Sequence, residues 1–242
     1  MIQFLALKFL GIFDLFHKKK MVFFLRKNKL FKFKIVFDVG AHEGETIKFC
    51  LDHFNIEKIY SFEPSHFSFK NLKKKVNKLK NKKIKTEIIL ENIALGIENK
   101  NIKIKHMNES SSSTIKELNT ESKYYKKKKR LLFNIKNRSL FNEISVQQKN
   151  LDEYISQKKI QKLDFLKIDT EGYEFEVLSG VKKNIKNIKL ILFEHHYHDM
   201  IKKNYKFSDV HDLLTKNNFR QIYKAKMPFR KTFEYIYKNK SY

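Results

Sequence analysis

Three carboxylates fall within six residues in the run Lys167-Ile168-Asp169-Thr170-Glu171-Gly172-Tyr173-Glu174. Acids this close repel one another unless a cation or a bound proton sits among them. Asp169 and Glu171 are spaced to flank a substrate hydroxyl or a metal, while Glu174 opens a helix whose dipole favours negative charge. A second run, Phe193-Glu194-His195-His196-Tyr197-His198, closes an apolar stretch. Strand alternation puts Glu194 and His196 on one face and His195 on the other. Near the start, Asp38-Val39-Gly40-Ala41-His42-Glu43-Gly44-Glu45-Thr46 runs from strand to helix. Its glycines let backbone pass close to a ligand, but neither G-x-G-x-x-G nor G-K-[ST] is present, so a pyrophosphate cradle is not expected. Asp38 and Glu43 suit a cationic ligand better. Glu63, 25 residues after Asp38, ends a second apolar run, where a carboxylate can accept both hydroxyls of a ribose. Asn92-Ile93-Ala94-Leu95-Gly96 would set small residues and an amide beside an adenine.

The composition sharpens these windows. The 242 residues include four Ala, five Arg, six Gly and two Pro, no Trp and 47 Lys. Against that scarcity, Gly40, Gly44, Gly96, Gly172 and Gly180, five of the six glycines, fall inside the windows or within a helical turn or two of them. Glycine is kept where a Cβ would block backbone or ligand. The net charge of +26 points to nucleic acid, a membrane surface or an acidic substrate. Its lysines are scattered between elements, however, and a base-edge reader favours arginine. With 41% hydrophobic residues the chain is long and apolar enough for a core. One cysteine, Cys50, excludes an internal disulfide framework and suits a reducing interior, with Cys50 as a small core residue. Ile2–Phe16 is interrupted by Lys8 and Asp14, too short for a span and without a cleavage site. A cytoplasmic protein follows.

The elements that must position these residues alternate in type. Residues 1–33 read as an amphipathic, aromatic-rich helical extension, with peripheral membrane contact as one use; residues 34–242 form the main domain. Strands are expected at 34–40, 59–63, 86–90, 102–105, 163–168 and 188–193, and helices at 44–54, 66–80, 173–178 and 209–217. Residues 219–223 and 233–237 close the chain as an antiparallel pair. The serine- and lysine-rich stretch 108–130 reads as a mobile basic loop. Strands alternating with helices make a mostly parallel sheet covered on both faces.

Taken together, Asp38-Val39-Gly40-Ala41-x-x-Gly44, Phe62-Glu63-Pro64, Asn92-x-Ala94-Leu95-Gly96 and Ile168-Asp169-Thr170-Glu171-Gly172-x-Glu174, with Leu178-x-Gly180, resemble the FkbM-type methyltransferases over residues 35–197. The resemblance implies an α/β class I methyltransferase (Rossmann-like) fold, a seven-stranded sheet parallel but for one strand, with helices on both faces. It implies S-adenosylmethionine as cofactor and a hydroxyl of a sugar, glycan or related metabolite as acceptor. By the match, Asp38 and Gly40 border the methionine end of the cofactor, Glu63 meets the ribose, and Asn92 and Ala94 lie near the adenine, with Ala41, Gly44 and Asp169 as further cofactor-binding candidates. His42 and Thr170 depart from the residues common in this family.

O-methylation requires the hydroxyl to be aligned and its proton to be taken. In the implied fold the ends of the strands carrying Asp169 and Glu194 are adjacent. That makes Asp169, Glu171, Glu194 and His196 the catalytic candidates, with His196 preferred to His195 as general base. Alternatively, Asp169, Glu194 and His196 hold Mg²⁺ or Mn²⁺, which lowers the hydroxyl pKa. His198 and His211 read as solvated. The basic loop suits an anionic lipid- or nucleotide-linked sugar. Nucleic-acid methylation stands behind this reading, because the Asp169–Gly172 turn has no proline pair and its acids repel phosphate. A basic RNA- or membrane-binding module on the same fold is the remaining alternative.

Overall fold

The structure, a computed structural model, describes residues 2–80, 84–107, 113–132 and 141–242. The chain runs α1 (Ile2–Lys27), β1 (Lys32–Val39), α2 (Glu45–His53), β2 (Asn55–Phe62), α3 (His66–Lys80) and β3 (Glu87–Glu91). Then follow β4 (Ala94–Gly96), β5 (Lys100–Met107), β6 (Ser113–Thr114), α4 (Lys123–Leu132), β7 (Phe141–Asn150) and α5 (Leu151–Gln157). The last part is β8 (Leu163–Ile168), α6 (Glu174–Ser179), β9 (Ile188–His196), α7 (Phe207–Lys216), β10 (Phe219–Lys226) and β11 (Thr232–Asn239).

Seven strands form the main sheet in the order β10-β11-β9-β8-β1-β2-β3. Only β11 runs antiparallel to its neighbours, and the other pairs are parallel. Parallel central strands are buried on both faces, which is why Leu163–Ile168 reads as a run with no exposed position. The expected α/β class I methyltransferase architecture is therefore the one observed. The chain winds outward from β1 through β2 to β3, then returns to β8 on the other side of β1. The C-terminal ends of β1 and β8 thus flank the topological switch point, where such sheets bind ligands.

Helices α1, α2 and α3 cover one face. Leu25, Ile47, Cys50 and Leu72 pack there against Val36, Ile59, Leu190 and Ile236. Helices α5, α6 and α7 cover the other, where Tyr154, Val177 and Leu214 meet Phe37, Phe62 and Phe193. The N-terminal segment is one helix ending at Lys27, and Phe33 already belongs to β1. Its second half is an integral part of the sheet cover: Met21, Val22 and Leu25 are buried. Two contacts tie the helix to the β10–β11 side of the sheet, a hydrogen bond between His17 Nε2 and Glu234 Oε2 at 2.7 Å and an ion pair between Arg230 and Asp14 at 2.7 Å. Among the described residues no helix is long and apolar enough to cross a membrane.

Between β3 and β8 the chain builds a second sheet, β4-β7-β5-β6, around Ala94, Ile104 and Val146. The segment expected as a basic loop holds structure: Ser113–Thr114 pairs with β5 and Lys123–Leu132 is helical. Residues 108–112 lie outside those described. Helix α4 docks through Tyr125 onto Met200 and Ile201 beyond β9.

Because Leu25 is fully buried, Leu25→Ala should lower the stability of the whole domain by about 2–5 kcal/mol. A thermal melt read by near-ultraviolet circular dichroism checks this. An unchanged melting temperature would mean that α1 is an appendage.

Candidate active site

A cleft of about 1530 Å³ opens over the C-terminal ends of β1, β2, β8 and β9. At its floor a lysine stands in the most buried strand. Lys167 Nζ lies 2.9 Å from Asp38 Oδ1 and 3.7 Å from Asp169 Oδ2, and it donates to the carbonyl of Gly40 at 3.2 Å. Burial alone would push its ammonium down, but Asp38, Asp169 and Glu194 hold it above its ordinary value. This is the cation that the run of acids requires. Asp38, only 1% exposed, faces Lys167 and does not line the cleft.

The turn after β8 is shaped by Glu174. This carboxylate is fully buried at the start of α6. Its Oε1 accepts the backbone N–H groups of Thr170 (3.2 Å) and Gly172 (2.9 Å), and its Oε2 accepts the Tyr205 hydroxyl at 2.5 Å. With the turn pinned, Asp169 and Glu171 project into the cleft. Gly40 must pass beneath them: at φ +81° a Cβ would sit 1.9 Å from the Asp169 carbonyl oxygen. No other residue fits that approach.

Glu63 is buried at the end of β2. Its Oε2 accepts the His42 N–H and its Oε1 the Ser65 N–H, both at 2.9 Å. Burial pushes its carboxyl up against these two donors, which hold it down. Each oxygen keeps a lone pair for a further donor, as a ribose diol supplies. Gly40, Ala41, Glu63, Ala94 and Asp169 line this half of the cleft. Asn92 does not; its amide donates to the carbonyls of Glu63 (2.7 Å) and Pro64 (3.1 Å) and so fixes that turn. Gly44 caps α2 from the left-handed region and stands behind the cleft wall. Residues of this kind fit an adenosyl group carrying a positive sulfonium: a buried diol acceptor, a strand-end glycine and acids beyond it.

At the other half, His196 Nε2 lies 3.3 Å from Glu171 Oε2. Burial pushes the His196 imidazole down, but Glu171, Glu174 and Asp169 outweigh it and raise its pKa. Its Nδ1 is buried with no hydrogen-bond partner among the described residues, whereas the Glu171 side chain is 29% exposed to the cleft. Glu194 lines the same wall, its carboxyl raised well above the ordinary value by burial, Asp169 and Glu234. His195 points to the opposite face among Tyr197, Tyr205 and Phe207. Burial and Lys203 push it down to about 3, so it stays neutral as a core residue.

Two expectations are corrected. Among the described residues no three His, Cys, Asp or Glu side chains gather as a set able to hold a metal ion. In the trio Asp169, Glu194 and His196 the counter-charge is the Lys167 ammonium, and His196 is turned to Glu171. His198 is not solvated: it is buried and stacks on Tyr124 of α4, ring centroids 4.3 Å apart. Likewise His211 is partly buried and bonded to the Tyr237 hydroxyl at 2.7 Å. Sequence reasoning passed over Lys167 and the α1 residues Asp14, His17 and Lys18, which line the cleft. A lysine inside an apolar six-residue strand was the available signal for the first.

Lys167→Met should destabilise the domain by about 3–5 kcal/mol, since it strands Asp38 as an uncompensated buried charge. The double change with Asp38→Asn should recover much of that loss in a denaturant titration.

Comparison with known proteins agrees with this geometry. The family model described as the methyltransferase FkbM domain matches residues 38–221. No curated protein matches the sequence. Among solved structures, methyltransferase FkbM from Methylobacillus flagellatus KT superposes with a TM-score of 0.53 at 14% identity, covering 86% of this chain and 44% of that one. TrmK of M. capricolum in complex with S-adenosylhomocysteine gives 0.49 at 10% identity, over 90% of this chain and 67% of its own. Magnesium protoporphyrin IX methyltransferase from Synechocystis PCC 6803 with bound SAM gives 0.49 at 7% identity, over 94% and 80%. This chain thus spans less than half of the Methylobacillus protein. With the family model covering most of its length, the chain belongs to the methyltransferase FkbM family.

Proposed function

We propose that the chain methylates a hydroxyl of a sugar, glycan or related metabolite, with Glu171 and His196 acting as a pair that takes the hydroxyl's proton. The observation that carries this reading is the Glu171–His196 contact of 3.3 Å, set across the cleft wall from the Glu63 half. When bound there, S-adenosylmethionine supplies an electrophilic methyl group on a positive sulfur. Glu63 orients the ribose, and the strand-end backbone at Gly40 admits the cofactor closely. Glu171, the partner open to the cleft, meets the acceptor hydroxyl, and His196 behind it holds the proton at Nε2. Asp169 and Glu194 add negative potential around the reacting centre, favouring a cationic donor.

On the rim, Lys123 and Lys127 of α4 and Lys231 line the same cleft. They suit an acceptor carrying phosphate, such as a lipid- or nucleotide-linked sugar. If so, Lys123→Gln/Lys127→Gln raises KM for the phosphorylated form of an accepted sugar and leaves the neutral form unchanged.

Titration calorimetry with S-adenosylhomocysteine tests the cofactor half. Micromolar binding near one site per chain is expected, lost in Glu63→Ala. No binding by folded protein would remove the reading. Radiolabelled methyl transfer to saccharide fractions, with RNA as a parallel acceptor, tests the other half; label in RNA alone would replace the saccharide reading.

The pair also predicts a pH dependence. It accepts a proton only when His196 is neutral, so the rate should rise with pH through a value above 6.5, the ordinary histidine value from which this one is raised. Glu171→Gln removes the carboxylate that raises it. The rising limb should then move to lower pH, with kcat reduced by about 10²–10⁴. A limb that stays in place would show that His196 does not hold the proton.

A further inference from the structure

Helix α1 presents two unlike faces. Its inner face, Met21, Val22 and Leu25, belongs to the core. On its outer face Phe16 and Phe23, two turns apart, are 58% and 71% exposed. Four basic residues, Lys19, Lys20, Arg26 and Lys27, are exposed beside them. The Lys19 ammonium stands 6.0 Å from the Phe16 ring centroid. The helix has a single acid, Asp14, and that is spent on Arg230. Solvent-facing phenylalanines interleaved with lysine thus stand on a helix that already has a core face.

One further observation points the same way. The Arg230–Asp14 ion pair holds the β10–β11 turn against the same helix. There Phe229 is 67% exposed and sits at φ +58°, a backbone conformation a bulky residue rarely adopts.

We propose that the outer face of α1, with Phe229 beside it, docks on an anionic phospholipid bilayer, lying in the interface and not crossing it. The aromatic rings enter the headgroup region while Lys19, Lys20, Arg26 and Lys27 meet lipid phosphate. The next residues on the same two elements, Asp14, His17, Lys18 and Lys231, line the cleft. Docking by this face therefore sets the cleft mouth beside the bilayer, where a lipid-borne acceptor arrives without leaving the membrane. The docking itself does not depend on what the acceptor is.

The test is flotation of the full-length chain with vesicles of phosphatidylcholine, with and without phosphatidylglycerol. Binding to the anionic vesicles alone is expected. Phe16→Ser/Phe23→Ser should weaken it by at least about ten-fold, with melting temperature and S-adenosylhomocysteine affinity unchanged. Lys19→Gln and Lys20→Gln should each cost about five-fold at low salt and less as salt rises. Three results would overturn the proposal: no binding to anionic vesicles, binding indifferent to the two phenylalanines, or full displacement by a structured RNA whose own affinity ignores them. Loss of S-adenosylhomocysteine binding with docking intact would strike the methyltransferase reading and leave this one standing.

Discussion

The site rests on one buried charge, the Lys167 ammonium held between Asp38 and Asp169. An ammonium in the interior is costly unless paired and hydrogen-bonded, and here the sheet itself supplies the partners. Parallel pairing of β1 with β8 sets Asp38 directly opposite Lys167, while Asp169 follows two residues later, just past the end of β8. The third contact, the Gly40 carbonyl, lets the lysine fix the backbone at which β1 ends. Charge pairing, strand register and the glycine turn are thus one constraint. Moving any of them would leave Asp38 buried without its counter-charge beneath a cleft floor that already carries Asp169, Glu171 and Glu194.

Glu174 does for the turn what Lys167 does for the strands. Backbone donors at a strand-to-helix junction have no ladder partner, and a buried carboxylate at the head of α6 takes two of them. That closure is tight enough to force positive φ on Glu171 and Gly172 in succession. Gly172 takes it without penalty, whereas Glu171 accepts a conformation that costs a side-chain-bearing residue about 1–3 kcal/mol. The strain is offset by what it places: a carboxylate against His196 with one side open to the cleft.

Much of this was legible in the residues. Apolar runs ending in glycine or an acid located β1, β2 and β8, because strands buried on both faces are built mostly from apolar residues. Period two separated His196 from His195 correctly, one on the cleft wall and the other in the core. What escaped notice has a physical cause in each case. β4 is three residues long, and its Ala94-Leu95-Gly96 carries no alternation to see. β7, Phe141–Asn150, holds polar residues at most positions because it lies in a small sheet with one face in solvent. Helix α5 has seven residues, too few for a period of 3.6 to declare itself. His198 was misread because the ring that buries it, Tyr124, is distant in sequence and comes from a segment taken for a loop. Nor does any local pattern tell that a helix at the chain's start will wall the cleft.

The net charge of +26 and the chemistry of the site pull in opposite directions, and distance decides between them. Exposed lysines more than a Debye length away, about 8 Å at physiological ionic strength, are screened by salt before their field reaches the cleft floor. The carboxylates of Asp169, Glu171 and Glu194 stand inside that distance in a poorly solvated space, where each counts for more. Lysine cannot replace them without leaving a cation beside Lys167. The surface is free to accumulate it, since an exposed lysine pairs weakly or not at all. A bias toward lysine therefore colours every tolerant position, the cleft rim included, and stops at the strand ends that form the cleft floor. The few acids it spared at strand ends carry more functional information than the many bases it added.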